Sequence, residues 1–240
     1  MKVSLFVTCI GDRFFAEAAA DAVRLLRSLD VEVEFPADQT CCGQPAWNSG
    51  HLEEARQMAE HTRRVFAESD YVVLPSGSCT AMLRCHYPEL LKTSEGPEAT
   101  DFAGRAYELA EFLVDVLGVT RLGNGLVGRR LAYHHGCHAL RELRVRQQPL
   151  QLLSTAGAEI VPWDMDEECC GFGGLFSVKV PEVSVAMADR KLETLPSVEA
   201  VVSADGGCLL HLHGRSQRCG RQINFRALAS VLWEARRGET

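Results

Sequence analysis

Two adjacent cysteines followed by glycine occur twice in this chain of 240 residues, as Cys41-Cys42-Gly43 and as Cys169-Cys170-Gly171. Neighbouring cysteines do not easily bond to each other, because a disulfide wants its Cα atoms further apart than one peptide link provides. Followed by a glycine that permits positive φ, each pair reads as two thiolates offered from one tight turn. Further cysteines keep step with them. Cys9 lies 128 positions before Cys137, Cys41 before Cys169 and Cys42 before Cys170, while Cys79 and Cys208 are 129 apart. The first half reads C-x31-C-C-x36-C and the second C-x31-C-C-x37-C. Four cysteines in register are an internal duplication.

Soft thiolates in sets of four select zinc or an iron–sulfur cluster, and ligand chemistry alone leaves both open. Structural zinc commonly uses close C-x2-C pairs in small domains that lack a core. Each half here is long enough for a core of its own, which favours a functional cluster. Structural disulfides are not expected, because the chain reads as cytoplasmic and that compartment keeps thiols reduced. The apolar opening run ends at Gly11-Asp12-Arg13, too soon for a secretory signal, and no stretch reaches the length needed to span a bilayer.

The elements that must hold these thiols follow from periodicity. Residues 2–9 and 31–35 read as strands around an amphipathic helix over 14–29, and 71–75 is a third strand after a helix over 52–66. Residues 76–79 read as a loop and 106–117 as a helix. The glycine-bearing stretch 118–128 then separates a unit of 1–124 from one of 125–240. The pattern restarts with strands near 131–135, 159–163 and 198–203, helices near 150–156 and 183–195, Cys208 in a loop, and a last helix over 225–235. This predicts an α/β protein of two duplicated units, each a small parallel sheet with flanking helices. Loops at the carboxyl ends of parallel strands share one edge. Cys9, Cys41, Cys42 and Cys79 should therefore meet at one site, and Cys137, Cys169, Cys170 and Cys208 at another.

The twice-used pattern resembles the cysteine-rich CCG family, which includes the cysteine-rich component of heterodisulfide reductase and the iron–sulfur component of glycolate oxidase. Longer runs carry the resemblance to its lactate-utilisation branch: Leu5-Phe6-Val7-Thr8-Cys9, Cys41-Cys42-Gly43-Gln44-Pro45-Ala46-Trp47-Asn48-Ser49-Gly50, Pro75-Ser76-Gly77-Ser78-Cys79-Thr80 and Cys169-Cys170-Gly171-Phe172-Gly173-Gly174-Leu175-Phe176-Ser177-Val178-Lys179. That resemblance implies an electron-transfer protein that holds iron–sulfur clusters of the [4Fe-4S] type, with zinc in one site as the alternative. It implies a cytoplasmic complex oxidising L-lactate to pyruvate, with other iron–sulfur and accessory subunits as partners. A zinc-stabilised scaffold and a thiol–disulfide reductase are the competing functions. The disulfide-reducing relatives end each half with C-x-x-C, giving a fifth cysteine and a non-cubane cluster. Here the fifth position is Met82 in one half and His211 in the other, which speaks against that chemistry.

Met82 reads as packing, since thioether is a weak ligand, and His211 as packing or an imidazole ligand. His138, beside Cys137, is a candidate donor to cluster sulfur, with helix capping or partial exposure the alternative; His134 is assigned to the latter. Cys85 and Cys219 stand outside the repeat and read as packing or surface thiols. Neither Gly173-Gly174 nor Ser76-Gly77-Ser78 fits a nucleotide-binding loop, and no flavin or nicotinamide motif is present. A net charge of −7 gives no support to nucleic-acid binding. The basic residues Arg215, Arg218, Arg221 and Arg226 read as a solvated face rather than a docking patch.

Overall fold

The computed structural model describes residues 1–92 and 97–238, with residues 97–100 described by backbone alone. Two four-stranded sheets form, both wholly parallel. In the first, β1 (Lys2–Leu5) lies between β2 (Glu32–Glu34) and β3 (Tyr71–Leu74), with β4 (Ala106–Glu108) beyond β3. The second repeats this order with β5 (Arg130–Tyr133) between β6 (Glu159–Ile160) and β7 (Ala200–Ser203), and β8 (Phe225–Ala227) outermost. In each sheet the strand order reverses at the first strand. The crevice of a parallel sheet opens at that switch point, beyond the carboxyl ends of its strands.

The fourth strand of each sheet departs from the expected helices over 106–117 and 225–235. Both strands run straight into a helix with no polar loop between them, so apolar spacing continues unbroken across the boundary. Glu108 makes the junction in the first half. Its carboxyl oxygen accepts the N–H groups of Ala110 (2.7 Å) and Glu111 (3.2 Å), capping the helix that starts at Leu109.

The repeats are joined through their helices. The helix Leu228–Arg237 of the second packs along Ala16–Arg27 of the first, and the helix at Leu109–Glu111 packs on Gln147–Thr155 of the second. One apolar cluster therefore runs through both halves, from Val3, Leu25 and Leu26 to Leu131, Leu152, Val202 and Leu232. Full burial of each such aliphatic side chain contributes about 1.5–3 kcal/mol. Each half also keeps a smaller core around its cysteines: Phe6, Phe66, Met82, Leu83 and Tyr87 with Cys42 and Cys79, and Ala188, Leu192 and Leu212 with Cys170 and Cys208.

Candidate metal centre

Each cysteine is delivered by a short structural device. Strand β1 ends at Leu5, before Cys9, which instead opens the helix Cys9–Phe14. Thr8 caps that helix, its Oγ1 accepting the Gly11 N–H at 3.0 Å. The expected loops at Cys79 and Cys208 are also first turns of helices, Gly77–Ala81 and Gly206–Arg218. Their glycine-rich starts resemble loops in sequence. Ser76 caps the former through the Cys79 N–H. Gly43 and Gly171 have φ of 84° and 89°, so the turn after each cysteine pair requires glycine.

The thiols meet within each half as the duplication predicts. Sγ–Sγ separations are 3.8 Å for Cys9–Cys41, 3.4 Å for Cys42–Cys79 and 3.1 Å for Cys170–Cys208, and Cys137 is hydrogen-bonded to Cys169. Sequence reasoning did not foresee that both sets face each other. All eight cysteines line one cleft of ≈ 230 Å³, together with Ile10, Ser76, Ser78, His138, Phe172 and Asp205. Helix Cys9–Phe14 packs against Gly206–Arg218, and residues 139–143 pack against Gly77–Ala81, so the elements of the two halves meet around the cleft.

Crowding governs the thiol chemistry. The hydrogen bond that Cys9 donates to Cys41, then burial, pushes the Cys9 thiol well up, and a bond to Cys42 raises Cys41 in the same way. Cys169, Cys208 and burial together raise Cys170. Cys137 and Cys169 share a proton: Cys137 is raised by its partner, while Cys169 is held low as the thiolate, helped by the Gly171 N–H at 3.4 Å. The raised thiols among them give up their protons when a cation takes their place, which is how thiolate metal sites behave. The donors fit a soft metal centre.

Other residues named from sequence fall into place. Met82 is wholly buried in the core with Cys42 and Cys79, and the Nε2 of His211 lies 3.2 Å from Ser184 Oγ. His138 lines the cleft and its Nδ1 meets Glu142 at 2.6 Å. Cys85 and Cys219 are exposed. Arg215 is paired with Asp189 and Arg226 with Glu234, so neither is a spare cation for docking.

Two site residues escaped the sequence reading, and a third was misplaced by it. Asp205 crosses between the halves, its Oδ1 accepting the Ser78 N–H at 2.8 Å. Lys191, fully buried, donates to the carbonyls of Met165 and Glu168 behind the second cysteine pair and lies 4.5 Å above the Trp163 ring. His134 is also fully buried, not capping or exposed, and a ring nitrogen lies within 4.8 Å of the Cys170 and Cys208 sulfurs. Burial first, then the Lys191 charge, lowers its pKa to about 3.

Two parallel sheets presenting paired cysteine turns to a common cleft define a duplicated cysteine-rich protein. The chain belongs to the CCG family: the model of its cysteine-rich domain matches residues 3–84 and again 131–213. Within that family it is 47% identical to Lactate utilization protein A of Geobacillus kaustophilus (strain HTA426), over 97% of this chain and 98% of that one. Identity to Lactate utilization protein A of Oceanobacillus iheyensis is 44%, over 99% of both chains. Lactate utilization protein A 2 of Bacillus cereus (strain Q1) is 42% identical, over 97% of this chain and 98% of that one. These full-length likenesses bear out the resemblance read from the cysteine motifs. Among solved structures, glutamate racemase from Thermus thermophilus in complex with β-chloro-D-alanine aligns with a TM-score of 0.35 at 15% identity, covering 97% of this chain and 77% of that one.

Proposed function

We propose that the protein is an iron–sulfur-binding electron-transfer subunit of a cytoplasmic complex that oxidises L-lactate to pyruvate. The observation that carries this reading is the convergence of eight thiols on one ≈ 230 Å³ cleft. A cleft of that size has room for the irons and sulfides of an iron–sulfur core. When bound, such a cluster supplies one-electron transfer. Cys9, Cys41, Cys42 and Cys79 hold it in the first half, and Cys137, Cys169, Cys170 and Cys208 in the second. The N–H groups of Gly171 and Phe172, each 3.4 Å from a cysteine sulfur, stabilise negative charge there. Its partners in that complex are other iron–sulfur and accessory subunits. Among the described residues no helix is long and apolar enough to cross a membrane.

A second reading, zinc in one site, has an observation of its own. The 3.8 Å between Cys9 and Cys41 matches the edge of about 3.8 Å in a tetrahedron with Zn–S of about 2.3 Å. Anaerobic purification followed by iron, sulfide and zinc analysis with electron paramagnetic resonance separates the two. Brown protein with iron and sulfide in both halves supports the first reading. Colourless protein with stoichiometric zinc overturns it.

A further inference from the structure

We propose that His134 supplies a nitrogen ligand, through Nε2, to the metal centre held by Cys170 and Cys208, so that the second site carries an imidazole that the first lacks. The inference rests on the reading that the cleft binds metal, and names a donor for it that is absent from the cysteine pattern.

Three observations carry it. His134 is fully buried, and its Nε2 has no hydrogen-bond partner. An orphaned polar atom at that depth costs free energy unless something occupies it. Second, a ring nitrogen of His134 and the sulfurs of Cys170 and Cys208 all lie within 4.8 Å of one another. Third, the tautomer is set. Nδ1 faces the backbone carbonyl of Asp166 at 3.2 Å, and a carbonyl only accepts, so Nδ1 carries the hydrogen. In a neutral ring that leaves a bare lone pair on Nε2. Metal-ligating histidines are commonly fixed in this way, with the far nitrogen donating to a backbone carbonyl.

The duplication provides an internal control. Residue 134 corresponds to Phe6, and the two backbones make equivalent bonds: Phe6 N–H donates to Val73 at 2.9 Å, and His134 N–H to Val202 at 2.8 Å. Phe6 is packed with Cys42 and Cys79, the counterparts of Cys170 and Cys208, and stacks on Phe66 at 5.5 Å. The same place in the fold thus holds an inert ring in one repeat and a donor in the other. His138 and His211 are engaged elsewhere, by Glu142 and Ser184.

The test uses full-length protein prepared anaerobically, stripped of metal and titrated with Co2+. Pulsed electron paramagnetic resonance of protein carrying 15N-histidine should show coupling to a directly bound nitrogen. His138→Gln and His211→Leu should retain that coupling. His134→Phe, which installs the residue of the other repeat, should abolish it and weaken Co2+ binding at the second site by about tenfold or more. Bound Co2+ without nitrogen coupling in the parent overturns the inference and leaves the metal reading standing. Coupling that survives in His134→Phe overturns it equally. A parent that binds no Co2+ overturns both. The labelled parent decides the question even if His134→Phe fails to fold.

Discussion

Ser76 and Asp205 occupy equivalent positions in the two repeats, yet they touch each other, Ser76 Oγ lying 3.3 Å from Asp205 Oδ1. Each is the residue before the helix that carries the last cysteine of its repeat's four-cysteine pattern. The contact therefore lies where the two sites face each other. Asp205 also accepts the Ser78 N–H at 2.8 Å, so a carboxylate of one half caps a helix of the other. Nothing larger than glycine fits beside it: a Cβ on Gly136 would lie 1.8 Å from Asp205 Oδ2.

This predicts that Asp205→Ala, which removes the acceptor of the part-buried Ser78 N–H, costs about 1–3 kcal/mol in urea unfolding. Gly136→Ala should be worse, because the carboxylate must leave its partners to make room. An Asp205→Ala protein as stable as the parent would mean that the contact does not join the halves.

The parallel sheets and the thiol sets were legible because each leaves a regular mark in sequence: short β-rich runs between amphipathic helices, and cysteines in a 128-residue register. The fourth strands were not. Ala106–Glu108 and Phe225–Ala227 span three residues each and merge into helices, so periodicity cannot mark their ends. The common cleft was equally hidden, since it depends on helix Leu228–Arg237 docking on Ala16–Arg27, a contact between the far ends of the chain. Lys191 and His134 look ordinary in sequence; only burial, which is a tertiary property, makes them unusual.

The cysteines can be tested half by half. Cys169→Ala or Cys170→Ala should remove iron and sulfide from the second site, leaving roughly half the parent content, with Cys42→Ala its mirror image in the first. Lactate-supported growth should fail in all three. The fold should survive, because the shared core of Leu25, Leu26, Leu131 and Leu232 does not involve these thiols. Far-ultraviolet circular dichroism with metal analysis checks both halves of the statement. Full iron and sulfide in Cys170→Ala would remove that residue from the ligand set.

Glu108 makes stability depend on pH. Burial, only partly offset by the N–H groups it caps, raises its pKa from 4.5 to about 8. A raised carboxyl pKa means that the native state holds a proton which the unfolded chain releases. Its contribution is therefore complete below about pH 4.5 and is lost as pH rises through about 8. A shift of this size corresponds to roughly 3–5 kcal/mol between the two limits. Glu108→Gln keeps an oxygen for the N–H groups of Ala110 and Glu111 and cannot ionise. Denaturant unfolding from pH 4 to pH 9 should show the parent losing stability relative to the variant across this window. Parallel profiles would show that the carboxyl is not protonated in the native state.

The two sites should differ in potential, and buried charge sets the direction. Lys191 places an ammonium behind Cys170, held by the carbonyls of Met165 and Glu168. A positive charge favours the more negative reduced state, so the second site should have the higher potential and receive electrons from the first. Burial lowers the lysine pKa to about 8. The potential of the second site should accordingly fall as pH rises through that value, while the first site stays level. Lys191→Met should lower the second potential at neutral pH by roughly 60 mV, one factor of ten for a single electron, and abolish its pH dependence near 8. His211 acts on the same site by a longer route, through Ser184, whose hydroxyl donates to the Gly171 carbonyl at 2.7 Å. His211→Leu should therefore shift the second potential less than Lys191→Met does. Met82→Leu, a volume-conserving change in the first core, should leave both potentials in place. A redox titration of the parent and these three variants decides the matter. Equal potentials in the parent, or a Lys191→Met protein whose second potential does not move, would end the case for directed transfer.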